Sequence, residues 1–307
     1  MPISRGIEQM IPLVYNYAHE HNSGSKEHFF HFIWGYLLPA TREMLRINEE
    51  TGRSNSFVME SCGPVMDELT IETASKLGLD IHCRELSGTE IKDGLLVERW
   101  DRVLRLWTDW YINKEGDMPA HSEQLEIPAS IMADIGRFLT DIQIIRSTFL
   151  NAAGIRANTV DGEFLILKRS EEPDYYKPGG GAVRLTYGNS RRALTGIDKA
   201  VQTLNRRGYK VASFEPGRHS LFRQIEVFHQ ATGIAGIRGA EFAGMIWMRP
   251  GAAVILLEPP EMPGYGVQHL LAVIMNLHYT HLMTGGETTF PELKPEVIAP
   301  YLPVDRS

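Results

Sequence analysis

The sequence predicts an α/β protein built from two parallel-sheet domains, and three observations lead there. The chain has 307 residues, long for one hydrophobic core and suited to two domains that bury ample apolar surface without disulfides or metals. Residues 220–259 read as helix, strand, tight turn, helix and strand in succession, a βαβ unit with a polar turn. From Gly154 onward the same alternation recurs, and strands alternating with helices imply a parallel sheet covered on both faces. The domains are placed at residues 1–153 and 154–307.

Taken in order, residues 3–21 carry Ile7, Met10, Ile11, Val14 and Tyr15 at helical spacing, and the pattern stops at the polar stretch 22–25. Residues 28–45 are bulky and apolar, which predicts a buried helix bent near Pro39. His28 and His31 lie three apart on one face of it. As a metal pair they lack a third ligand nearby, which leaves a packed core histidine or one that faces a ligand. Among these aromatics an imidazole at His31 could take a hydroxyl proton near neutral pH. Residues 56–60 read as a strand, Cys62-Gly63-Pro64 opens a helix over 65–77, and Gly78 ends it. Glu60 and Asp67 sit on the exit side of that strand, where α/β proteins collect polar groups. An acid in a first helical turn also complements the helix dipole. Residues 80–83 form a short strand, 94–110 read as β-like, and 127–153 form a long linking helix.

In the second half, strands are expected at 163–168, 182–187, 209–214, 233–237 and 252–257, with helices at 192–207, 221–232, 242–248 and 267–276. The turn Arg238-Gly239-Ala240-Glu241 follows a strand: Gly239 and Ala240 permit close backbone approach, and Arg238 offers a charged fork. Arg191-Arg192 follow another strand, with Thr186 and Ser190 adding hydroxyls. Two basic strand-exit turns in one sheet could converge on a diphosphate. Neither matches GxGxxG or GxxxxGK[ST], and Gly179-Gly180-Gly181 lacks the strand before and helix after it, so dinucleotide and P-loop readings fall.

Composition narrows the classes. No apolar run approaches the roughly 18–20 residues that span a bilayer, and the first residues are too interrupted for a secretory signal, so a cytoplasmic location is expected. Cys62 and Cys83, the two cysteines, suit free thiols. A net charge of −7 argues against a general nucleic-acid surface.

The chain resembles glycosyltransferase family 61, which includes bacterial capsular-polysaccharide enzymes, plant xylosyltransferases and O-linked N-acetylglucosaminyltransferases. The likeness rests on three motifs in order. They are His31-Phe32 to Leu38-Pro39, Leu185-Thr186-Tyr187 with Arg191-Arg192, and Arg238-Gly239-Ala240-Glu241 followed by a helix and Pro250-Gly251 before an apolar strand. The family's histidine is Arg238 here, its second glycine is Glu241, its asparagine is Gly244, and an arginine is Tyr187. The resemblance implies two Rossmann-like domains facing a cleft (GT-B-like). The acceptor would lie on the first and the nucleotide-sugar donor, a substrate and not a cofactor, on the second. It further implies transfer with inversion. With no Asp-x-Asp pair to hold a metal, Arg191, Arg192 and Arg238 would meet the diphosphate, and His31 would act as base ahead of Glu60, Asp67 and Glu241. The expected partners are that donor and a saccharide or glycoconjugate acceptor, with peripheral membrane association and no nucleic acid. The departures also fit a catalytically silent relative that binds a nucleotide or scaffolds a polysaccharide-synthesis complex.

Overall fold

A computed structural model describes residues 10–15, 26, 28–115, 129–155, 162–171, 189, 192–258, 266–284 and 290–302, with the side chains of 111–134 left aside. Two parallel sheets organise the chain. Two compact units contain them, Met1–Leu106 with Ala133–Gly154 and Trp107–Met132 with Ile155–Ser307.

The first unit contains β1 (Ile11–Tyr15), α1 (Phe29–His31), a π-helical stretch Phe32–Leu37, α2 (Leu38–Thr51), β2 (Ser56–Glu60), α3 (Pro64–Leu77), β3 (Asp80–Arg84), α4 (Gly88–Asp93) and β4 (Leu95–Val97). Next come α5 (Trp100–Glu115) and α6 (Ala129–Ala152). Its strands lie in the order β3-β2-β1-β4, all parallel. The chain runs outward from β1 to β3 and returns to the other side of β1 with β4. That reversal makes a crevice at the carboxyl ends of β1 and β4, the usual ligand position in an open α/β sheet.

Two expectations are corrected here. Residues 11–15 form a central strand, not helix: Leu13 is fully buried between β2 and β4, and a short apolar run fits either element by periodicity. The β-like stretch 94–110 is a three-residue strand followed by a helix. Among its described side chains Trp100, Leu104 and Thr108 are buried four apart, with Asp101 beside Trp100, which is helical spacing. Gly78 ends α3 in the left-handed region at φ 65°, where glycine carries no Cβ penalty.

The second unit contains β5 (Phe164–Leu167), α7 (Ile197–Arg206), β6 (Val211–Phe214), α8 (Leu221–Gln230), β7 (Gly233–Ile237), a 3₁₀ stretch Ala240–Trp247, β8 (Ala253–Glu258), α9 (Val267–Ile274), β9 (His278–Met283) and α10 (Pro295–Ile298). Strand order is β6-β5-β7-β8-β9, all parallel, so the reversal falls between β5 and β7. One sheet face, with Phe164, Ile166, Ala235, Ile237, Ile255 and Leu257, joins Ile197, Leu204 and Ile298 in a single core. Ile234, Val254 and Leu256 on the other face are buried as well. Each such Val, Leu, Ile or Phe side chain contributes about 1.5–3 kcal/mol, so burial of these central strands is the main contribution to the unit's stability.

The helix expected from Arg192 begins only at Ile197. Thr195 is held extended by a parallel bridge to Glu292, with its N–H donating to the Pro291 carbonyl at 3.0 Å. Residues 240–247 wind as a 3₁₀ helix against α8. The Phe228 ring packs so closely there that a Cβ on Gly244 would lie 2.5 Å from it. The strand expected at 182–187 lies outside the described residues, as do Thr186, Ser190 and Arg191.

Candidate active site

The first crevice is built by the link between β4 and α5 meeting the π-helical stretch. After Val97 the chain passes Glu98 and Arg99 and enters α5, placing Asp101 in its first turn. Asp101 is 3% exposed and has two side-chain partners. His31 Nδ1 lies 2.7 Å from Oδ2, while Arg99 donates Nη2 to Oδ2 at 2.7 Å and Nε to Oδ1 at 3.1 Å. Arg99 is itself 1% exposed and lies over the Tyr36 ring, 4.6 Å from its centre.

Close approach is permitted by Gly35. A Cβ there would stand 2.5 Å from Asp101 Oδ1 and 3.2 Å from Arg99 Nε. Gly35 lies in the π-helical stretch, a wider winding that often marks functional sites.

Burial works to raise the Asp101 pKa, but the hydrogen bonds and charges of His31 and Arg99 outweigh it and hold the carboxyl below its ordinary value. Burial also pushes the Tyr36 hydroxyl well up, against the pull of Arg99. With Asp101 ionised its Oδ2 can only accept, so the ring donates to it from Nδ1. The imidazole is a quarter exposed, whereas its carboxylate partner is sealed.

Of the other predicted acids, Glu60 ends β2 and pairs with Lys26 at 2.9 Å. Asp67 accepts from the Ser61 hydroxyl at 2.6 Å and the Cys62 N–H at 2.8 Å, so its carboxylate shapes the turn after β2. The structure thus joins His31 to Asp101 and Arg99, two residues the sequence reading passed over. The available signal was an acid in the first turn of a helix, hidden once residues 94–110 were read as β-like.

The second crevice lies between β5 and β7. Arg169 follows β5, and its Nε meets Glu241 Oε1 at 3.3 Å; both side chains are largely buried. Glu241 folds back over Gly239, close enough that a Cβ there would displace its carboxylate. The Arg238 side chain turns toward β8, pairing through Nη1 with the fully buried Glu258 at 2.7 Å, and His281 of β9 meets the same carboxylate at 2.9 Å. Glu241 therefore pairs with Arg169, the guanidinium the sequence reading missed, and Arg238 is committed to the strand exits beside it. Arg192 is buried.

A family model for glycosyltransferase 61 matches residues 29–255, from the first residue of α1 to the middle of β8. The chain belongs to glycosyltransferase family 61. Nothing among curated proteins matches it. As a glycosyltransferase it acts on a sugar donor and an acceptor, and His31, Arg99, Asp101, Arg169, Arg238 and Glu241 all lie within the matched span.

Two outcomes follow for the first crevice. Gly35→Ala should cost about 1–3 kcal/mol in urea unfolding, because the new methyl displaces Asp101 or the π-helical stretch; an unchanged midpoint would show that Asp101 is not tightly seated. The Asp101 carboxyl sits lower in the folded protein than its unfolded value of about 3.9, so its contribution is complete above that pH and is lost as pH falls through the folded value. The stability gap between the native protein and Asp101→Asn should be wide at pH 7 and narrow toward pH 2. A gap that widens on acidification would contradict the pairing.

Proposed function

We propose that this family 61 enzyme transfers a sugar with inversion from a nucleotide-sugar donor to a saccharide or glycoconjugate acceptor, with His31 as the base and no metal required. The observation that carries the reading is the 2.7 Å contact between His31 Nδ1 and buried Asp101. A carboxylate behind a histidine fixes the tautomer and stabilises the imidazolium that forms when the other nitrogen takes a proton.

In the proposed reaction Nε2 removes the proton of the acceptor hydroxyl, and that oxygen forms a bond to the anomeric carbon. The bond from this carbon to the diphosphate breaks on the opposite face, and the diphosphate leaves with the electron pair. The acceptor is assigned to the first unit and the donor to the β5/β7 crevice of the second. The reading includes a GT-B arrangement, since donor and acceptor must meet. Arg169 and the Gly239 turn are assigned to the diphosphate; the sequence contains no Asp-x-Asp pair to bring a metal to it. Arg238, through Glu258, holds the turn in place.

One feature favours a second reading, a silent relative that binds a nucleotide: Arg169 and Arg238 are each already paired with a carboxylate, which weakens their draw on a diphosphate.

Uridine diphosphate or a related nucleoside diphosphate should raise the melting temperature, and the shift should persist in EDTA; loss on chelation with recovery on adding a divalent ion would refute metal independence. His31→Gln should keep that shift while turnover falls roughly 10²–10⁴-fold, the loss expected for a general base. Undiminished turnover would leave His31 without a catalytic role. A native protein that binds the nucleotide and transfers nothing across a donor panel would establish the silent reading.

A further inference from the structure

The first crevice holds a tension that Arg99 resolves. A buried carboxylate whose only partner is an imidazole favours the imidazolium strongly, because an opposite charge within about 4–6 Å stabilises the charged form. An imidazolium cannot accept a proton. The same carboxylate is needed to hold the ring in place. At Asp101 one oxygen is divided between two donors at equal distance, His31 Nδ1 and Arg99 Nη2, both 2.7 Å away, and the other oxygen is taken by Arg99 Nε at 3.1 Å.

The guanidinium is fixed in that fork. It is 1% exposed, rests on Tyr36, and fits only because Gly35 has no side chain. Among the described residues, the charged and titratable groups of this cluster are His28, whose ring centroid lies 5.2 Å from that of His31, Asp101 from α5, Arg99 from the link before it, and Tyr36, whose ring Arg99 overlies. Arg99 is the group among them that binds both oxygens of the carboxylate.

We propose that Arg99 is a positioning residue that neutralises Asp101 in a bidentate pair, so that the carboxylate orients His31 without drawing a proton permanently onto it. The inference rests on the reading of His31 as base, and it concerns how that base is kept available. Removing the guanidinium charge leaves the full carboxylate to His31, and the ring then holds its proton to higher pH than in the native protein.

Magnetic resonance of the full chain with labelled histidine reads this without substrate. The His31 imidazole signal is assigned by its absence in His31→Gln, and its titration is followed in the native protein, Arg99→Gln and Arg99→Lys. Arg99→Gln, which keeps a donor but not the charge, should raise the titration midpoint by about one unit or more. Arg99→Lys, which keeps the charge but not the fork, should raise it less. A midpoint unchanged or lowered in Arg99→Gln with native-like melting overturns the proposal; if that variant does not fold, an unchanged midpoint in Arg99→Lys overturns it. A raised midpoint alongside full turnover by His31→Gln would uphold the electrostatic role and sink the base reading. Lost turnover by His31→Gln with a fixed midpoint would do the reverse.

Discussion

A carboxylate removed from water must be fully paired, and the first unit depends on that constraint at Asp101. Moving a charge of this kind into the interior costs several kcal/mol unless its oxygens are satisfied, and three donor atoms from two residues satisfy them. The surrounding architecture follows. The link between β4 and α5 must deliver Arg99 and Asp101 together, the helical segment after β1 must present His31, and Gly35 must leave room between them. Each condition is met by a different element, all at the point where the strand order reverses.

The second unit also buries a carboxylate, and ion pairs by distance, not formed hydrogen bonds, face its two oxygens. Glu258 ends β8 with no exposure, and its partners come from both neighbouring strands, Arg238 just after β7 and His281 within β9. The cluster ties three strands together. In the first unit the paired carboxylate leaves a quarter-exposed imidazole beside it; in the second it supports the turn that carries Gly239 and Ala240. One buried acid orients a side chain, and the other braces backbone.

Much of this was legible in the chain, and the failures have physical causes. Strands buried on both faces, such as β7 and β8, announce themselves as short apolar runs bounded by glycine and proline, and were found nearly to the residue. β1 is also a short apolar run, but it is only partly buried and lies next to further apolar residues, so it fitted a helix equally well. His31 stood out because a titratable ring among aromatics is unusual. Asp101 did not: a carboxylate near a tryptophan and two arginines is ordinary until the fold buries it. Likewise Arg238 looked like a free anion ligand because its partner is twenty residues away on the next strand, and pairing across a parallel sheet leaves no local trace.

The reversal of strand order has a consequence for when this site comes into being. β4 lies beside β1 yet is made after β3, and His31 precedes Asp101 by 70 residues. At translation rates of about 5–20 residues per second, the histidine leaves the ribosome roughly 4–14 s before its carboxylate exists. During that interval β1, β2 and β3 can already pair, but the strand that closes the crevice is missing. Assembly of the His31–Asp101 pair is therefore tied to the last strand of the first sheet, and a nascent chain that has folded everything before residue 95 still has an unoriented imidazole.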